Sequence, residues 1–142
     1  MVPAVTSVSV FFARERLPTA AKWQAAANEA GFPLRLDVAV DLTILEGVLP
    51  AEYAREPTCF DYFLSTDVEL PEGVPLDPGG PTLSACVVLV SRSTTEMLAK
   101  VAAAAALARL TSGVLYDDAE ARAYGPDDAI GWANRIIAES QP

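Results

Sequence analysis

Between Val5 and Phe12 the chain alternates, with Val8, Val10 and Phe12 on one face and Ser7 and Ser9 on the other, and this period of two predicts a first strand. Pro18 and Gly31 bracket Thr19 to Ala30, where Trp23, Ala26, Ala27 and Ala30 recur at helical spacing, so a helix is expected there. Leu34 to Ile44 alternates most regularly. Leu34, Leu36, Val38, Val40, Leu42 and Ile44 fall on one face, and Arg35, Asp37, Ala39, Asp41 and Thr43 on the other, as in an antiparallel strand packed on one side. Glu46 to Pro50 breaks that strand, and Pro50 to Arg55 is expected to form one short helical turn.

Thr58 to Ser65 reads as a third strand, with Phe60, Tyr62 and Leu64 turned one way and Cys59, Asp61 and Phe63 the other. A loop rich in proline and glycine follows from Asp67 to Pro81. Leu83 to Ser91 is apolar on both faces, the pattern of a strand central in a covered sheet. Ser93-Thr94-Thr95-Glu96 is a capping box that opens an alanine-rich helix running to about Thr111 and stopping at Gly113. Val114 to Tyr116 is a short strand, Asp117 and Asp118 begin a turn, and Ala121 to Tyr124 is its hairpin partner. Pro126 at a first helical position, with Asp127 and Asp128 behind it, opens a last helix that carries Ile130, Ala133, Ile136 and Ile137.

Consecutive strands exclude a purely parallel wound sheet. The order predicts one α+β domain over residues 1–142, a two-layer sandwich of a mainly antiparallel sheet with helices on one face, ferredoxin-like with extra strands. A length of 142 residues, with 51% hydrophobic, suits a single core. The start lacks a basic and then apolar leader, and no run is long enough for a membrane span, so a cytoplasmic protein is expected. Cys59 and Cys86 are widely separated and read as small hydrophobes.

Charge narrows the function. A net charge of −9 argues against nucleic acid or an anionic membrane as ligand and favours a basic protein partner. The acidity is also segregated: residues 56–91 carry six acids and no base, and residues 110–142 carry six acids against two bases. Two acidic surfaces follow. The first comprises Asp61, Asp67, Glu69, Glu72 and Asp77, with Tyr62 and Phe63 beside them as aromatic contacts; the second comprises Asp117, Asp118 and Glu120.

The chemistry for an enzyme is thin. The chain has no histidine, which removes Ser-His-Asp and Cys-His catalysis and imidazole zinc sites. Asp77-Pro78-Gly79-Gly80-Pro81 lacks the lysine of a phosphate-binding loop and reads as a turn. On an extended strand Asp37 and Asp41 would stand roughly 13 Å apart, too far to share a metal or a proton. The turn acids with Asp127 and Asp128 read as a solvated turn and a helix start rather than a cation site. No catalytic residue, metal or cofactor is therefore assigned.

Three stretches carry a resemblance: Gly47-Val48-Leu49-Pro50, Cys59-Phe60-Asp61-Tyr62-Phe63, and Leu107 through the Gly113-Val114-Leu115-Tyr116-Asp117 segment. Together, over roughly a quarter of the chain, they resemble small bacterial immunity proteins of polymorphic-toxin systems, in which a helix runs into a strand of this kind. The resemblance implies a non-enzymatic antidote that occludes a basic toxin; its motifs are structural and assign no site residue. The alternatives are a structural protein that forms a homo-oligomer and a carboxylate-dependent, metal-assisted enzyme.

Overall fold

The computed structural model describes residues 5–74 and 82–140. Strand β1 (Thr6–Phe12) leads through a 3-10 turn at Arg14–Arg16 to helix α1 (Ala20–Glu29). Strands β2 (Leu34–Leu36), β3 (Gly47–Tyr53), β4 (Glu56–Ser65) and β5 (Ala85–Ser91) follow. Helix α2 (Thr94–Thr111), strands β6 (Val114–Asp117) and β7 (Arg122–Tyr124), and helix α3 (Ala129–Glu139) complete the fold.

All seven strands join one sheet in the order β2-β3-β4-β5-β1-β6-β7, every pair antiparallel. Its centre, β4-β5-β1-β6, is the four-strand order of a ferredoxin-like fold, in which each helix connects strands that flank a third. Hairpin β2-β3 widens one side and β7 the other, so the expected two-layer α+β sandwich with extra strands is the fold.

Helix α2 is the spine. Every residue from Ala99 to Ala108 is buried, and α1, α3 and the sheet all pack on it. Alanine has almost no side chain to keep neighbours away, so three surfaces reach the same helix. The Trp23 indole N–H, from α1, donates to the Ala103 carbonyl oxygen over 2.8 Å, and its ring meets Phe60 and Tyr62 of β4. Ser93 caps α2 by accepting from the Glu96 amide; the Glu96 carboxylate reaches the Arg92 amide, one residue before the expected cap. The helix ends on Ser112 in the left-handed region, and Gly113 is required for space: a Cβ there would stand 2.3 Å from the Phe11 carbonyl oxygen.

Three expectations need correction. The strand foreseen over Leu34–Ile44 stops at Leu36, because Asp37 and Asp41 turn their carboxylates onto the chain just ahead. Asp37 accepts from the Ala39 amide, and Asp41 from the amide and hydroxyl of Thr43. Such aspartate turns compete with a strand ladder. Leu42 still reaches the core, whereas Val38 and Ile44 lie exposed. Second, Pro50 to Arg55 is no helical turn. Gly47–Tyr53 is a strand that buries Leu49, Ala51 and Tyr53, with Pro50 on the opposite face. Third, α3 opens at Ala129 rather than Pro126, since Gly125 to Asp128 form a preceding turn.

Ala54 and Arg55 close the β3-β4 hairpin with φ of 51° and 70°, a two-residue turn of the kind that glycine or asparagine adopts at lower cost. Arg55→Gly should therefore raise the unfolding free energy by about 0.5–1 kcal/mol in urea titration. Ala103→Leu should lower it by about 1–3 kcal/mol, because nothing around α2 can move aside without separating a helix from the sheet.

Candidate functional site

Because α1, α2 and α3 share one layer, the side chains of each strand divide between a covered and an uncovered face. On β1, Thr6, Val8, Val10 and Phe12 lie under the helices, and Ser7, Ser9 and Phe11 point away. Register carries the uncovered row across the sheet: Phe63 of β4, Val88 of β5, Ser9 of β1, Tyr116 of β6 and Ala123 of β7. A neighbouring row holds Val48, Asp61, Val90 and Ser7. No helix among the described elements covers these residues. Val48 is 58% and Phe63 40% exposed, Val88, Val90 and Tyr116 are partly so, and towards Phe11 and Cys86 the face becomes buried.

The first acidic set divides on this frame. Asp61 sits on the uncovered face, 8% exposed, its carboxylate 2.6 Å from the guanidinium of the exposed Arg92. Phe63 lies two residues further along the same face. Tyr62 has to be withdrawn as a contact residue: it points under the helices, is fully buried, and its hydroxyl donates to the Leu42 carbonyl oxygen over 2.8 Å. Alternation on β4 forces this split, since adjacent residues on a strand cannot share a face. Asp67, Glu69 and Glu72 follow the end of β4 on exposed backbone, and Asp77 lies outside the described residues.

The second acidic set is a joint rather than an open patch. Asp117 is buried under α3 and accepts from the Trp132 indole N–H and the Ala119 amide. Burial pushes its carboxyl above the ordinary value, and the bond from Trp132 opposes that rise. Burial also opposes ionisation of Glu120, but hydrogen bonds from Arg135 and within the cluster override it and hold that carboxyl below its ordinary value. Trp132 thus ties α3 to the β6-β7 hairpin through both acids. Asp118 turns outward, accepting from the Ser7 hydroxyl of the uncovered face, and Glu120 stays partly exposed beside Arg135. Among the described residues no group of three or more metal-ligating side chains converges.

One polar group went unforeseen. Lys100, in the middle of α2 and only 2% exposed, donates to the Thr6 hydroxyl over 2.7 Å, and Thr6 in turn meets the Ser91 hydroxyl at 3.2 Å. Burial lowers its pKa to about 8 despite the opposing pull of Asp117 and Asp118. A lysine within an alanine helix ordinarily marks the solvent side, so the sequence held no signal that this one points at the sheet.

Because the folded-state pKa of Lys100 lies below its unfolded value, the unfolded chain holds the extra proton between about pH 8 and pH 10.5, and stability rises with pH across that window. Cys86, whose thiol burial pushes up to about 11, acts in the opposite sense above its unfolded value, and a difference measurement cancels it. Relative to Lys100→Met, the wild type should gain about 2–3 kcal/mol in urea titrations between about pH 7 and about pH 10. Comparison of the chain with protein-family models, curated proteins and solved structures returned no match.

Proposed function

We propose that the chain is a non-enzymatic binding protein of the immunity or inhibitor kind, which docks its uncovered sheet face and the acidic margin beside it onto a basic partner protein. The observation that carries this reading is the chemistry of β5. A strand at the centre of a sheet, covered by helices on one side only, nonetheless keeps Val88 and Val90 on its other side, with Phe63 and Val48 exposed beside them. Apolar side chains on a face without helices gain nothing from water, and a partner supplies the missing layer.

The margin sets the partner's sign. Asp67, Glu69 and Glu72 are exposed just beyond the end of β4, and Asp118 accepts from Ser7 of the uncovered face. With a net charge of −9 they favour encounter with a basic surface and disfavour stacking of two copies face to face.

A growth assay tests this reading. The product of the gene adjacent to this one should arrest growth when expressed alone and be neutralised when this chain is co-expressed. Phe63→Asp combined with charge reversal at Asp67, Glu69 and Glu72 should abolish both neutralisation and the purified complex, with the thermal midpoint unchanged. A harmless neighbour, or full protection by the folded variant, contradicts the proposal.

A further inference from the structure

Strand β2 is an outer edge of the sheet, yet its outward hydrogen-bonding groups are occupied by a side chain. The Gln24 amide nitrogen, from α1, donates to the Leu34 carbonyl oxygen at 2.7 Å, and the Gln24 amide oxygen accepts from the Leu36 amide at 2.5 Å. The reverse placement of oxygen and nitrogen would set donor against donor and acceptor against acceptor, so this network fixes the amide's orientation. A residue of a strand added parallel to β2 makes the same two bonds, one to the carbonyl before and one to the amide after the residue it faces. Gln24 therefore stands in for one residue of a strand opposite Arg35.

Space and charge continue along that edge. Two cavities of about 590 and 860 Å³ lie against β2 and share Asn28, Arg35 and Glu52 in their walls, so they form one trough along the strand. Arg55 lines it at the Leu34 end and Asp37 at the Leu36 end. Among the described residues neither has an ion-pair partner within 4.0 Å. Arg55 also occupies a left-handed turn position where glycine is cheaper, which keeps a cation at the mouth of the trough.

We propose that this edge is a docking site for an extended peptide segment, which displaces Gln24 and adds to β2 as a parallel strand. A parallel strand places its N-terminal end beside Arg55 and its C-terminal end beside Asp37. The segment that fits carries an acid at its N-terminal end and a base at its C-terminal end. The site lies on the edge of the sheet, apart from Phe63 and Val88, and stands or falls independently of the docking face proposed above.

The test uses a capped hexapeptide of alternating threonine and valine, with glutamate added at its N-terminal end and lysine at its C-terminal end. Amide exchange of Leu36 is followed by NMR on the full chain. Gln24→Ala should speed that exchange at least about tenfold, and the peptide at about 1 mM should restore protection and shift the Leu34 to Asp37 signals. In the wild type the same signals should shift more weakly, because Gln24 competes. A peptide with its two charges exchanged, or one N-methylated at a central residue, should do neither. Gln24→Met, which keeps the side-chain stem, carries the same readout if Gln24→Ala does not fold. Unchanged Leu36 exchange in the variant overturns the proposal, as does equal binding of the N-methylated peptide. Protection that rises with the variant's own concentration, without peptide, overturns it in favour of a second copy of the chain.

Discussion

The burial of α2 on every side is the constraint on which the remaining structure depends. A helix in a two-layer sandwich usually keeps a polar outer face. From Ala99 to Ala108 this one has none, because α1 and α3 close over it while the sheet lies beneath. Larger side chains would hold those surfaces apart, and the hydrogen bond from Trp23 to the Ala103 carbonyl oxygen requires their close approach. The one long polar side chain within that stretch, Lys100, is accommodated only because Thr6 receives its ammonium.

With α1 and α3 packed against α2, no helix among the described residues lies on the other side of the sheet. Among the described residues that face carries Phe63, Val48, Val88 and Val90 together with Ser7, Ser9 and the ion-paired Asp61. Strand register sets Phe63, Val48, Val88 and Val90 in fixed relation on that face. The edge at β2 is a separate surface, where Gln24 reaches from the middle of α1 to the Leu34 carbonyl oxygen and the Leu36 amide.

Much of this was legible in the sequence where local pattern and tertiary packing agree. Period-two runs at β1 and β4, the apolar run at β5, the helix start at Ser93 and the alanine helix formed where they were expected, although among the described elements helices cover β5 on one face rather than both. The β2-β3 region was misread because alternation alone counts Val38 and Ile44 as core, whereas Asp37 and Asp41 bind their own backbone and end the strand. In the first acidic set, Asp61 and Phe63 were brought to one face, while Tyr62 was lost to the core by the same alternation that identified the strand. In the second, Asp117 and Glu120 serve Trp132 and Arg135, pairings between residues well apart in the chain that no local pattern encodes. Lys100 and Gln24 were silent because no local periodicity encodes a helix side chain that bonds to a strand, whether remote in the chain as for Lys100 or next in it as for Gln24.

Hydroxyl-radical footprinting of the complex with the adjacent gene's product measures, side chain by side chain, whether a partner docks on the sheet face turned away from the helices. Docking there should bring loss of oxidation at Phe63, Val48 and Tyr116, with Ile44 and Leu110, exposed elsewhere, unchanged. Protection confined to the helix layer, with Phe63 and Val48 oxidised as in the free chain, would contradict it.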